Sequence, residues 1–196
     1  MSRIGLVLAG GGSRRMGEGD KALIDLAGQR MIDHVLARIR PQVDAVLISG
    51  PTDFGTGLAT IPDEPAGLQG PVGGLVASAR FLAASQADAT MMVTVPVDAP
   101  FLPTDLVERL CDAEGPAIAR AGGRLHPTFA AWDPNGLIAA LGDFRPGDGP
   151  SLQSVIERVQ ARIVDFDDPL AFTNINTPAE ADEARLRLTS CNLPSG

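Results

Sequence analysis

No stretch of the chain approaches the roughly 20 consecutive apolar residues that a membrane-spanning helix requires. The sequence therefore predicts no membrane partner. A basic excess is missing as well: 16 Lys and Arg stand against 24 Asp and Glu, a formal net charge of -8. That balance disfavours a nucleic-acid partner, because a phosphate backbone rewards a basic face. A small anionic ligand is not disfavoured, since it needs only a local cluster of donors. Cysteine is scarce. Cys111 and Cys191 show no metal-ligand spacing and read as one packed thiol and one tail thiol. Met1 to Leu8 runs straight into a strand-like segment rather than the pattern of a secretory signal. Together these absences predict a cytoplasmic protein.

What is present fits one globular domain over residues 1–189, followed by a tail, 190–196, that has no packing pattern and is expected to be mobile. Short apolar runs alternate with helical patterns. Arg3 to Ala9, Ala45 to Ser49 and Thr90 to Val95 read as strands buried on both faces, with a shorter one at Leu58 to Ile61. Ile32, Val35, Leu36 and Ile39 repeat at helical spacing before Pro41. Leu75, Val76, Ala79 and Leu82 mark another helix face, opened by Pro71. A short helix follows Thr104, and Ala117 to Trp132 reads as a hairpin turning at Gly122-Gly123. Leu137 to Leu141 and Leu152 to Val159 look helical, and Ala161 to Phe166 reads as a late strand. Thr177-Pro178-Ala179-Glu180 has the capping-box pattern and opens a last helix to about Leu188. The alternation predicts a three-layer α/β domain around a mostly parallel sheet. Ligands of such sheets bind at the carboxyl ends of strands. Attention therefore falls on Gly10 onward, Ser49, Asp63 and Asp98.

The segment Leu8-Ala9-Gly10-Gly11-Gly12-Ser13-Arg14-Arg15-Met16-Gly17, leading to Asp20-Lys21, carries the strongest chemical signal. Successive glycines after a buried strand let backbone N–H groups converge on an anion, with no side chain in the way. Arg15 offers a planar fork for phosphate oxygens and Lys21 a compact ammonium. Together they suit a triphosphate and the charge that develops on departing pyrophosphate. Two better-known phosphate loops do not match. The P-loop needs Lys followed by Ser or Thr, whereas Lys21 precedes Ala22. The G-x-G-x-x-G fingerprint fails at Arg15.

Asp98 follows a strand and is suited to hold Mg²⁺, which favours one or two carboxylates together with phosphate oxygens and water. Asp63 is a second candidate contact. Gly70-Pro71-Val72-Gly73-Gly74 would let a helix start approach a base or phosphate, or would simply pack against the sheet. His126 reads as structural or as positioning an acceptor. Phe129 and Trp132 read as core or pocket wall.

Taken together, these residues resemble the molybdenum cofactor guanylyltransferase (MobA) family. The resemblance rests on Leu8 to Gly17 with Asp20-Lys21, Asp63 before Gly70 to Gly74, Pro96 to Pro103, His126-Pro127, and Asn174 to Pro178. It spans nearly the whole chain. It implies a Rossmann-like nucleotidyltransferase fold and Mg²⁺-dependent transfer of GMP from GTP to the terminal phosphate of molybdenum-molybdopterin. It also implies catalytic roles for Arg15, Lys21 and Asp98, with Asp98 on the metal. GTP would be held by Leu8, Ala9, Gly10, Gly11, Lys21, Ser49, Asp63 and Asp98. The acceptor would be held by Gly74, Asn174 and Asn176. Other cofactor-synthesis proteins and molybdoenzyme apoproteins are the partners it implies. Ser49-Gly50-Pro51 departs from the family's Asn-containing segment, and Phe144 to Ser154 is rich in Gly and Pro, with no match placed there to the family's basic acceptor-side residues. Three alternatives remain. One is a cytidylyltransferase for the same cofactor, which usually carries L-A-A-G in the loop. A sugar-phosphate guanylyltransferase is a second, disfavoured by Asn174 to Pro178. The third is a non-catalytic nucleotide-binding protein on the same fold.

Overall fold

The apolar run near the N-terminus forms strand β1 (Arg3–Leu8), an interior strand of a seven-stranded sheet. The structure is a computed structural model that describes residues 2–10, 20–62, 68, 70–85, 91–145 and 147–191. The other strands of this sheet are β4 (Ala45–Ser49), β5 (Thr60–Ile61), β6 (Met91–Pro96), β7 (Ala117–Ala121), β8 (Arg124–Trp132) and β9 (Arg162–Phe166), in the spatial order β5-β4-β1-β6-β8-β7-β9. A two-stranded hairpin, β2 (Asp25–Leu26) with β3 (Gln29–Arg30), stands apart from it. Only β8 runs against its neighbours; the pairs β1–β4, β1–β6, β4–β5 and β7–β9 are all parallel. The expected three-layer, mostly parallel Rossmann-like fold is therefore present.

Residues of opposite parity in β1 explain the layering. Val7 enters one apolar cluster with Ile32, Val35 and Ile39 of α1 (Met31–Ile39) and with Leu106, Val107 and Leu110 of α3 (Leu106–Leu110). Leu6 enters the other, with Leu75, Val76 and Ala79 of α2 (Pro71–Ala84) and with Leu137 of α4 (Pro134–Ala140) and Val155 of α5 (Leu152–Arg158). Each such Val, Leu or Ile side chain taken fully out of water stabilises the fold by about 1.5–3 kcal/mol. Phe129 and Trp132 are both in the core, on opposite faces of the sheet. No helix among the described residues is long and apolar enough to cross a membrane.

The reversal of β8 follows from its turn. Gly122 and Gly123 both have positive φ (55° and 75°), as a two-residue hairpin turn requires. The β7–β8 ladder then slips: Ile118 pairs Ala130, but the next residue, Ala119, pairs His126. Pro127 lies in the slipped segment and has no N–H for a ladder, so an irregularity there is the expected response.

Several element ends differ from the expectations. The strand expected at Leu58 shrinks to Thr60–Ile61, and α4 begins three residues early, at Pro134. Pro134 suits a first helical position, and Asp133 accepts from the Asn135 and Gly136 N–H groups. The last helix, α6 (Pro178–Cys191), runs past Leu188 into the residues expected to be tail, while 192–196 lie outside the described residues. The hairpin β2–β3 is too short to leave a periodic signal.

A third, smaller cluster fixes α6. Ala181 and Ala184 pack with Leu26, Met31, Phe101 and Ile175. Arg185 donates twice to the Asp25 carbonyl, at 3.1 and 2.8 Å, and Arg187 stacks over the Phe101 ring at 4.2 Å. The C-terminal helix is thereby held against the segment that follows the glycine-rich loop.

In the sheet centre, the buried Thr94 hydroxyl accepts the Trp132 indole N–H at 3.0 Å and donates to the Ala130 carbonyl at 3.2 Å. Thr94→Val keeps the shape but leaves that indole N–H without an acceptor. We expect a loss of about 1–3 kcal/mol in stability, measured by denaturant unfolding. A change below about 0.5 kcal/mol would show that the indole finds another partner.

Candidate active site

Three strands end in one row. Leu8 of β1 is level with Ser49 of β4 and with Pro96 of β6. Beyond that row the chains stay locked together: the Ala9 N–H donates to the Ser49 carbonyl at 2.8 Å, and the Val97 N–H to the Leu8 carbonyl at 3.1 Å. A β-carbon on Gly50 would lie 3.4 Å from the Ala9 backbone, an ordinary contact distance, so the two segments run side by side here. Leu8, Ala9, Gly10 and Ser49 therefore sit together where a parallel sheet presents its ligands. Ser49 itself is buried. Gly11, Arg15 and Asp63, expected at the nucleotide and its phosphates, lie outside the described residues.

Lys21 opens a short 3-10 helix, Lys21–Leu23, capped by the Asp20 carboxylate, which accepts from the Ala22 N–H. Its ammonium donates to the Asp98 carboxylate at 3.2 Å and to Asn176 Oδ1 at 2.6 Å. The two ion-pair side chains are only 9% and 14% exposed. Asp98 follows β6, and its carbonyl accepts the Ile175 N–H at 2.8 Å. One contact set thus joins the segments after β1, after β6 and after β9. Burial pushes the Asp98 carboxyl above its ordinary range, and the Lys21 charge and hydrogen bond oppose that shift.

Asn176 is held in turn by the start of α6. The Glu180 carboxylate accepts the N–H groups of Asn176 (2.6 Å) and Thr177 (2.9 Å), while Thr177 Oγ1 accepts the Glu180 N–H at 3.2 Å. This is the reciprocal arrangement the capping-box pattern predicts. Those backbone hydrogen bonds keep the Glu180 carboxyl below its usual range, and the Lys21 charge adds to the effect.

A cavity of about 580 Å³ adjoins this set, with Asn176 as a shared wall. His126, Pro127, Thr128, Phe172 and Asn174 line it further. The ladder slip at Pro127 is what turns this part of β8 towards the cavity. The His126 ring lies against Phe172, with centroids 4.8 Å apart, and its buried Nε2 has no hydrogen-bond partner among the described residues. Burial lowers the His126 pKa, against a hydrogen bond with the Ala121 backbone that raises it. A neutral imidazole is the consequence near neutral pH. Among the sequence expectations, Asn174 and Asn176 reach this cavity. Gly74 is buried within α2 on the other face of the sheet, its carbonyl accepting the Ser78 hydroxyl at 2.7 Å. In the same segment Gly73 has a packing reason: a β-carbon there would meet the Leu68 carbonyl at 2.1 Å. Phe172, which walls the cavity, carries no signal in the sequence beyond its hydrophobicity.

Among the described residues no group of three His, Cys, Asp or Glu could hold a metal ion. A single carboxylate at a strand end, beside an ammonium, still fits Mg²⁺ when substrate phosphates supply the other oxygens.

The family of MobA-like NTP transferase domains matches residues 5–163 of the chain. A molybdenum cofactor guanylyltransferase of Cereibacter sphaeroides is 40% identical over 190 residues, covering 94% of this chain and 96% of that protein. One from Acidiphilium cryptum is 39% identical over 185 residues, covering 91% and 92%. The crystal structure of molybdopterin-guanine dinucleotide biosynthesis protein A from Archaeoglobus fulgidus, 18% identical, superposes with a TM-score of 0.69 over 96% of this chain and 99% of that one, a likeness of fold. The chain belongs to the molybdenum cofactor guanylyltransferase family, on the MobA-like nucleotidyltransferase fold.

Proposed function

We propose that the chain transfers GMP from GTP to the terminal phosphate of molybdenum-molybdopterin, releasing pyrophosphate and forming the guanine dinucleotide. The observation that carries this reading is the meeting of Lys21, Asp98 and Asn176 at the carboxyl ends of β1 and β6, beside a cavity of about 580 Å³. An oxygen of the acceptor phosphate would form a bond to the α-phosphorus of GTP. The bond from that phosphorus to the bridging oxygen would break, with its electron pair leaving on pyrophosphate.

In this reading the backbone of Leu8, Ala9, Gly10 and Gly11 would hold the nucleotide, with Ser49 and Asp63 as further contacts. Arg15 and Lys21 would neutralise the phosphates and the leaving pyrophosphate. Asp98 would hold Mg²⁺, which when bound polarises the α-phosphate and screens its charge from the incoming anion. No strong base is required, because the phosphate nucleophile is already ionised. That suits the half-buried His126, whose pKa is lowered by burial and which would shape the acceptor cavity rather than take a proton. Asn174 and Asn176 would face the acceptor, whereas Gly74 is buried within α2 and does not line the cavity. The reading places the enzyme in the cytoplasm, delivering its product to molybdoenzyme apoproteins, directly or through other cofactor-synthesis proteins.

The reaction is tested by pyrophosphate release from GTP, CTP or ATP with Mg²⁺ and molybdenum-loaded molybdopterin. We expect release with GTP; preference for CTP would keep the mechanism and overturn the guanine assignment. Lys21→Ala is expected to lower kcat/KM by at least about 100-fold, as loss of a charge that stabilises the leaving group does. Asp98→Asn keeps an oxygen for Lys21 but removes the carboxylate charge. Turnover should fall by a similar factor and lose its Mg²⁺ dependence. If both survive in Asp98→Asn, the metal assignment is wrong.

A further inference from the structure

An ammonium has three N–H donors. In Lys21, one points to Asp98 and a second to Asn176 Oδ1, the shorter contact of the two at 2.6 Å. Two fixed partners on a nearly buried side chain set the direction of the third donor. Asn176 is an exposed residue whose backbone is fixed and whose Nδ2 donates to the Asn174 carbonyl at 3.5 Å. Its backbone N–H is tied to the Glu180 carboxylate, the neighbouring Ile175 N–H to the Asp98 carbonyl, and Ile175 is buried in the cluster that holds α6. A continuous path of short polar contacts thus runs from the first turn of the last helix to the ammonium. Asn176 and Glu180 also lie beyond residue 163, where the match to the nucleotidyltransferase family ends.

We propose that Asn176 and Glu180 are positioning residues for Lys21 on the nucleotide side of the reaction, so that one amide links GTP binding to the acceptor cavity. This inference rests on the function proposed above, in which Lys21 contacts a phosphate of GTP. Asn176 Oδ1 holds the ammonium, and Glu180 holds Asn176. The same Asn176 borders the cavity with Asn174 and His126. A molecule seated there that engages the Asn176 amide changes what the ammonium can reach. An Asn176 that served the acceptor alone would leave GTP binding untouched when removed, and the two roles separate on that point.

The test is GTP binding in the presence of Mg²⁺ and the absence of acceptor, by titration calorimetry, on the full chain. Asn176→Ala is expected to weaken GTP binding by about 10-fold, in the range for losing a hydrogen bond to a charged group. Glu180→Gln keeps one acceptor oxygen for the two N–H groups. It should weaken GTP binding by about 2–3-fold with little loss of helix stability in a thermal melt. In a Lys21→Ala background, Asn176→Ala should cause no further loss, because its effect passes through the ammonium. If Asn176→Ala and Glu180→Gln both bind GTP as the wild type does, while Lys21→Ala is impaired, the inference is overturned and the phosphate role of Lys21 stands. If Lys21→Ala itself binds GTP normally, the proposed phosphate contact fails, and the inference fails with it. Should Asn176→Ala prove unfolded in the melt, Glu180→Gln decides: wild-type affinity in that variant overturns the proposal.

Discussion

Moving an ammonium out of water costs several kcal/mol unless a counter-charge and further acceptors meet it. Lys21 is such a group, with a side chain 9% exposed. Asp98 supplies the charge and Asn176 the second acceptor. These partners lie 77 and 155 positions from it along the chain, so this one ammonium ties together the first crossover, the central strand β6 and the C-terminal helix. The same constraint works in reverse on Asp98. Burial disfavours its charged form, and the ammonium beside it restores part of what water would have given. In the function proposed above, an anionic ligand would meet the ammonium and a metal ion the carboxylate.

The rest of the fold places these groups within reach. Parallel pairing brings Ser49, Leu8 and Pro96 level, so the chain leaves three strands at one edge. The Gly122-Gly123 turn sends β8 back against β6, and the ladder slip at Pro127 lays His126 and Thr128 along the neighbouring cavity. The small cluster around Met31, Phe101 and Ile175 then fastens α6 across the site. Small residues at Ala181 and Ala184 let that helix come close to the hairpin β2–β3, where the Arg185 guanidinium reaches the Asp25 carbonyl.

Much of this was legible in the sequence for physical reasons. Strands covered on both faces must be apolar throughout, so β1, β4 and β6 announce themselves. A carboxylate straight after such a strand, as at Asp98, is at a ligand-binding edge by topology alone. The capping box at Thr177 to Glu180 was readable because its reciprocal hydrogen bonds demand those residue types at that spacing. The bond from Lys21 to Asn176 was not readable. The two are 155 positions apart, and no periodicity encodes a tertiary contact. The resemblance assigned them to opposite substrates, yet they touch. Glycines were ambiguous in the same way: Gly73 serves a close approach of the Leu68 carbonyl, a demand that a glycine-rich segment at a helix start does not distinguish from ligand binding. The ends of α4 and α6 moved because the caps that set them depend on local geometry more than on pattern.

The central claim is that a nucleotide's phosphates lie between the loop after β1 and the Lys21 ammonium, with Asp98 at the metal. A crystal structure of the chain with GTP and Mg²⁺ measures this directly. The account predicts a phosphate oxygen at hydrogen-bond distance from Lys21 Nζ, an Asp98 oxygen on the magnesium ion, and the cavity beside His126 left open for the acceptor. GTP seated in the His126 cavity, or a magnesium ion bound without Asp98, would contradict it.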